Sequence, residues 1–297
     1  MPKQAKSIED FIAPWCVTDG RKFRLKDYDP GSTKGFPDKE AAGPLLENGI
    51  QMLAEQQEML YAQDKWALLL IFQAMDAAGK DGTIKHVMSG INPQGVQVYS
   101  FKAPSAQELD HDFLWRTNMC TPERGRIGIF NRSYYEEVLV VKVHPEYLAR
   151  QHLPDECVGK KIWEHRYEDI NAFEKYLSRN GVVIRKFFLN VSKDEQRKRF
   201  LQRLEDPHKN WKFSSADLAE RAHWDDYMDA YQEMIRATST EHAPWYVVPA
   251  DNKWYTRLVV GSVVLDTLRS LKLEFPRVDA AKRKELAAIR EQVRREK

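Results

Sequence analysis

Trp66-Ala-Leu-Leu-Leu-Ile-Phe72 is a short, unbroken apolar run. That pattern suits a strand buried on both faces of a parallel sheet. Three more strand-like runs follow, Arg126–Phe130, Val182–Leu189 and Trp245–Pro249. Between them the pattern predicts helices at about 106–119, 160–179, 194–205 and 215–236. An earlier helix, at about 40–64, spaces Leu46, Ile50, Leu53 and Leu60 along one face. Strands alternating with helices predict an α/β fold with a parallel sheet flanked by helices. Tyr134–Val143 is divided: Val138-Leu-Val-Val141 resembles a strand, yet its place after a strand and turn favours a helix. Residues 7–38 are rich in turn formers and carry two aromatic anchors, Phe11 and Trp15. Arg21–Lys26 alternates basic and apolar residues and reads as an extended arm, packed on a neighbour or on the core. The tail from about 279 reads as a charged, solvated helix. No internal repeat or low-complexity linker interrupts this order.

Composition narrows the class. The 297 residues suffice for one large α/β domain, or a core with a lid. No apolar run approaches the roughly 20 residues that span a bilayer, and the first residues lack the apolar stretch of a secretory signal. Cys16, Cys120 and Cys157 lie far apart with no C-x-x-C. They suggest reduced thiols in the cytoplasm, not a disulfide framework or a zinc site. His144, His165, His208 and His242 lack metal-ligand spacing and read as structural. Net charge is only +2, whereas nucleic-acid binders carry a stronger basic bias. Any polyanion must be held by a local basic groove.

The sharpest motif is Gln73-Ala-Met-Asp-Ala-Ala-Gly-Lys-Asp-Gly-Thr83, between a predicted strand and a predicted helix. A phosphate loop needs that setting, because helix N-terminal N–H groups and the dipole then face the anion. Ala77, Ala78 and Gly79 would line the phosphates, with Gly79 allowing close backbone approach. Lys80 would reach the outer phosphates as a point charge. The match to G-x-x-x-x-G-K-[ST] is imperfect: Ala74 stands at the first glycine and Asp81 at the Ser/Thr. Asp76 can supply the missing metal oxygen, since magnesium prefers carboxylates and phosphates. It can also act as base toward the acceptor phosphate; the structural alternative is a cap on the following helix.

Four blocks resemble the type-2 polyphosphate kinase family. Met75–Gly82 resembles its Walker A segment, Gly125–Glu137 its Walker B block and Asp206–Ser214 its lid. Ala237–Trp254 resembles the segment leading into the last strand and helix. They occur in family order across roughly residues 7–275. The resemblance implies a P-loop kinase-like fold with a helical lid and, with Mg2+, reversible transfer from inorganic polyphosphate to AMP or ADP. It is greatest to the subgroup acting on both nucleoside mono- and diphosphates. It divides the chain into an arm (1–39), a phosphotransferase domain (40–275, lid at about 194–236) and a charged helix (276–297). Many relatives carry Asp where Asn131 stands, which shifts the metal role toward Asp76.

Phosphoryl transfer asks mainly for positioning and charge neutralisation. The expected catalytic set is Asp76, Lys80 and Arg132, whose guanidinium would fork onto phosphate oxygens at the carboxyl edge of the sheet. Lys85, nearly on the face of Lys80, is a candidate for the phosphate chain. Arg199 and Arg203 share a helix face at i, i+4 and precede Lys209 and Lys212 in the lid. A lid carrying such cations can close over a phosphate chain. Lys102, Arg116, Asn131 and Glu137 are the candidates for the acceptor nucleotide. The family resemblance and the arm suggest a homo-oligomer, with no nucleic-acid or membrane partner. Two other readings remain: an ATP-dependent nucleoside monophosphate kinase, and a non-catalytic nucleotide or nucleic-acid binding module.

Overall fold

The computed structural model describes residues 7–208 and 210–296, with the Lys212 side chain left out. Lys209 and the Lys212 side chain, both named above as lid cations, therefore lie outside the described residues.

Among the described residues six strands form one sheet: β1 (Cys16–Val17), β2 (Ala67–Gln73), β3 (Val96–Ser100), β4 (Ile127–Asn131), β5 (Val182–Asn190) and β6 (Trp245–Pro249). Their order is β1-β6-β5-β2-β4-β3. β2 pairs in parallel with β4 and β5, β4 with β3 and β5 with β6; only β1 is antiparallel, on β6. All seven residues of β2 are buried, as its unbroken apolar run requires. From β2 the chain goes first to the β4–β3 side and then to the β5–β6 side. The carboxyl end of β2 is thus the switch point where open α/β sheets bind ligands.

The helices Lys39–Gln63 and Lys253–Ser270 pack on each other, as do Ile162–Arg179 and Trp224–Thr238. The predicted helix at 106–119 is two short ones, Ala106–Leu109 and Trp115–Asn118. That at 215–236 is broken at His223 into Ser215–Ala222 and Trp224–Thr238. Tyr134–Val143 takes the helical option: a 3-10 turn over Tyr134–Val138, then a short helix over Val140–Val143. The arm is not extended. Its 3-10 turns at Gly20–Lys22 and Leu25–Asp27 are tied to the Trp224–Thr238 helix, where Arg236 Nε donates to the Phe23 carbonyl (2.8 Å) and Gln232 Oε1 accepts from Leu25 N (3.1 Å). Gly20 permits that approach, since a Cβ there would lie 2.3 Å from the Arg236 carbonyl oxygen. The arm packs on its own core. The tail forms a helix over Ala280–Arg295 with no buried residue.

One buried polar network braces the core beside the switch point. Lys186 on β5 donates to Glu174 (2.6 Å), the Tyr135 hydroxyl (2.9 Å) and the Thr238 carbonyl (2.7 Å). Glu174 also accepts from the hydroxyls of Tyr134 (2.9 Å) and Tyr135 (2.7 Å). Both charged side chains are fully buried. All three ammonium protons find acceptors, which a charge taken out of water requires. Removing one partner strands the other, so Glu174→Ala is expected to cost about 3–5 kcal/mol of stability. Chemical denaturation checks this; a loss below about 1 kcal/mol, the scale of exposed pairs, would contradict it.

Candidate active site

The phosphate loop begins where β2 ends. The chain turns through Ala74–Ala78, passes Gly79 and enters the Lys80–Val87 helix. Gly79 has φ 105°, a left-handed conformation that glycine adopts without strain. Of the residues with side chains in that region, Ala77 (φ 59°) and Arg132 (φ 64°) lie at this site. Such conformations cost about 1–3 kcal/mol each and cluster where ligands are held. Arg132 is fixed in part by its own N–H, which donates to the Phe72 carbonyl at 3.0 Å.

The side chains behind this turn form one charged cluster. Lys80 is 9% exposed, and its Nζ donates to the Ala74 carbonyl at 2.7 Å. Burial, then Arg132, hold its ammonium below the usual lysine value, against the opposing pull of Asp76, Glu136 and Asp81. Arg132 pairs with Asp76 (3.1 Å) and Glu136 (3.6 Å). Burial raises the Glu136 carboxyl, while Arg132 and Lys80 oppose that rise. Gln73, with its amide nitrogen turned toward Glu136 Oε1 (2.8 Å), anchors this acid to the end of β2. Asn131 Nδ2 donates to Asp81 Oδ1 at 2.7 Å, joining the end of β4 to the first turn of the loop helix.

Arg199 departs from its expected role as a lid cation. Its Nε donates to Glu195 (2.9 Å), Nη1 to the carbonyls of Ala77 (3.0 Å) and Ala78 (2.8 Å), and Nη2 to those of Ala250 (2.6 Å) and Asp251 (3.0 Å). All five of its N–H groups are thereby engaged, and the residue is only 6% exposed. Arg199 clamps the back of the phosphate loop to the end of β6. Arg203, one turn on, is half-buried, and Lys85 is exposed on the loop helix. Neither joins the hydrogen-bonded cluster among the described residues.

A cavity of about 310 Å³ opens beside the cluster. It brings together Lys102, Arg116, Arg132 and Glu137, with Phe113 and Tyr147 as aromatic walls. Arg116 Nη1 donates to the Lys102 carbonyl (2.8 Å), and its guanidinium lies 5.5 Å from the centre of the Phe101 ring. Glu137 accepts from Arg166 Nε (3.0 Å) and Gln151 Nε2 (2.8 Å). Burial raises its carboxyl and Arg166 opposes that. A larger cavity of about 460 Å³ lies between the arm and the helices Lys39–Gln63 and Lys253–Ser270. It is mainly apolar, with Arg257 as the one arginine or lysine among the described residues of its lining; the smaller cavity adjoins the loop and sets Lys102, Arg116, Arg132 and Arg150 among Glu108, Asp112, Glu136 and Glu137, so it offers phosphates more cationic partners.

Glu136 and Arg166 are among the residues that sequence reasoning passed over. Arg132 and Glu136 are four apart, a spacing that marks possible ion pairs, so Glu136 carried a signal. Arg166 comes from a helix remote in sequence and carried none.

The polyphosphate kinase 2 family model matches residues 38–276. The chain belongs to that family. An ADP-polyphosphate phosphotransferase of Rhodopseudomonas palustris is 55% identical over 278 residues, covering 93% of this chain and 96% of the relative. An AMP/ADP-polyphosphate phosphotransferase of Meiothermus ruber is 45% identical over 267 residues, covering 90% and 96%. The crystal structure of polyphosphate kinase 2 from Arthrobacter aurescens TC1 superposes with a TM-score of 0.85 at 44% identity, covering 96% of this chain and 98% of that one. The fold is therefore the polyphosphate kinase 2 fold, a P-loop kinase-like sheet flanked by helices, and the cluster described above sits at its phosphate loop.

Proposed function

We propose that this chain transfers phosphate from inorganic polyphosphate to AMP and ADP, forming ADP and ATP, reversibly in principle. The observation that carries the reading is the junction of two sites. The phosphate loop with Lys80, Asp76 and Arg132 opens onto a cavity bearing Lys102 and Arg116. Relatives named for the same reaction, similar over almost their whole length, support it.

The chemistry is a displacement at phosphorus. An oxygen of the acceptor's terminal phosphate attacks the end phosphorus of the chain. The bond to the next bridging oxygen breaks, and polyphosphate leaves one unit shorter. Lys80 and Arg132 neutralise charge on the transferring oxygens, the main requirement of such a transition state. Lys102 and Arg116 hold the acceptor phosphates. Lys85, Arg203, Lys209 and Lys212 are proposed to follow the chain away from the loop, with the backbone of Ala77, Ala78 and Gly79 around its end.

The carboxylates fit magnesium. This ion binds through one or two carboxylates with phosphates and water supplying the rest. Asp76, with one oxygen on Arg132, and Asp81 offer such a pair beside the loop. No group of three or more His, Cys, Asp or Glu suited to a metal occurs among the described residues. Asp76 would hold the ion, Asn131 would act through Asp81, and Glu137 would shape the acceptor pocket. When bound, the ion neutralises the phosphate charge that Lys80 and Arg132 leave uncovered.

The proposal includes a cytoplasmic homo-oligomer without nucleic-acid partners. The net charge of +2 supports a locally built anion site, and the free cysteines suit a reducing compartment. No described helix is long and apolar enough to cross a membrane.

The test is donor choice. Purified protein with AMP, magnesium and polyphosphate is expected to yield ADP and then ATP, read by chromatography. Product with ATP as donor and none with polyphosphate would instead mark an ATP-dependent monophosphate kinase. Salt-sensitive nucleic-acid binding without turnover would mark a binding module.

A further inference from the structure

Asp76 is held at two points. Its side chain meets Arg132, and its main-chain carbonyl accepts from Gln196 Nε2 at 3.0 Å. Gln196 is 1% exposed. Its other amide atom, Oε1, accepts from Arg221 Nη1 at 2.7 Å, and the same nitrogen donates to the Lys193 carbonyl at 2.8 Å. These partners fix the amide orientation, because only nitrogen can donate to a carbonyl and only oxygen can accept from a guanidinium. Arg221 is itself set in place. Its guanidinium lies 5.9 Å from the centre of the Trp224 ring. The preceding residue, Glu220, is bound by the Tyr227 hydroxyl (2.6 Å) and His144 Nε2 (3.1 Å).

We propose that Gln196 and Arg221 are positioning residues for Asp76, a tether that runs from the end of the Ser215–Ala222 helix to the phosphate loop. Neither touches the reacting atoms. Arg221 aims the Gln196 amide, and that amide fixes the peptide after Asp76. This peptide sets the direction of the Asp76 carboxylate and leads into Ala77, whose left-handed φ needs support from its surroundings. Arg199 grips the next two carbonyls along the loop, at Ala77 and Ala78. One helix, Lys193–Glu205, thus presents two side chains at i, i+3 to three successive carbonyls. Gln196 differs from Arg199 in that its orientation depends on a residue from another helix.

The inference rests on the polyphosphate reading for its kinetic arm only. Gln196→Leu keeps the bulk and removes both hydrogen bonds. It is expected to lower kcat roughly 10–100-fold, the scale of a small misplacement near reacting groups, with the acceptor KM nearly unchanged. Arg221→Met is expected to produce a smaller loss of the same kind. Combining the two should be no worse than Gln196→Leu alone, because both break one link. Gln196→Glu keeps the acceptor for Arg221 and loses the donor to Asp76, so it should match Gln196→Leu. A second readout needs no turnover: amide hydrogen exchange at Ala77–Gly79 in the ligand-free protein should quicken in Gln196→Leu. Additive losses in the double variant, unchanged kcat, or unchanged exchange would each overturn the tether. A wild-type enzyme inactive with polyphosphate would overturn the functional reading instead, and the exchange comparison would still decide the tether.

Discussion

Lys80→Met is expected to lower kcat by roughly 10³-fold and to leave thermal stability nearly unchanged. Removing one preorganised donor aimed at developing charge costs on the order of 10²–10³ in rate. Lys80 sits at the upper end of that range because it is the buried cation of the loop itself. In the ligand-free protein its ammonium has a carbonyl for company and Arg132 as an unfavourable neighbour. Its folded value is therefore depressed. A lysine of this kind costs stability while charged, and the cost fades as pH rises through the folded value. Methionine removes that cost together with one hydrogen bond, so the two effects offset. A bound phosphate chain reverses the electrostatics, because the anion favours the charged lysine. The residue is thus neutral to the empty fold and essential to the loaded one. Turnover with polyphosphate and AMP, beside a melting curve, checks both halves. A loss of less than tenfold would remove Lys80 from the transferring phosphate.

That division between fold and function also explains what the sequence made visible. β2 was legible because a strand buried on both faces must be apolar at every position, and Ala67–Phe72 is. β3 was not: Val96-Gln-Val-Tyr-Ser100 is an edge strand, all of it half-buried or exposed, and its alternation is too short to separate from a loop. β1 has two residues and exists only through its pairing with β6. At the site, Asp76, Lys80 and Arg132 could be assembled in advance because strand-turn-helix geometry places the ends of β2 and β4 side by side. Of the adjacent acids Glu136 and Glu137, only Glu137 was singled out, although Glu136 stands four residues from Arg132. They lie in a 3-10 turn, which advances about 120° per residue, so adjacent acids point to different neighbours. One meets Arg132 beside the loop and the other meets Arg166 from the Ile162–Arg179 helix. For Arg199 the spacing to Arg203 gave a shared face but not what that face touches. Local periodicity cannot see that the carbonyls of Ala77 and Ala250 come within reach of one guanidinium.

The Arg199 geometry has a sharp consequence. If Arg199 served a closing lid as a positive charge, lysine would replace it with little loss, and any defect would fall on the KM for polyphosphate. A clamp behaves otherwise. Lysine offers three donors on one nitrogen, and it cannot span carbonyls on two sides as a planar fork does. Arg199→Lys and Arg199→Met are both expected to destabilise the protein by about 3–5 kcal/mol, since buried carbonyls and Glu195 would lose their partner. At roughly 2–4 °C per kcal/mol for a domain of a couple of hundred residues, the melting temperature should fall by about 10 °C. Turnover should fall on the order of 10²-fold as the loop loses its support, even at saturating polyphosphate and at temperatures where the variants remain folded. The comparison is made by calorimetry and steady-state kinetics on the same preparations. A lysine variant with the wild-type melting temperature and only a raised polyphosphate KM would return Arg199 to the phosphate chain and leave the loop to be held by other contacts.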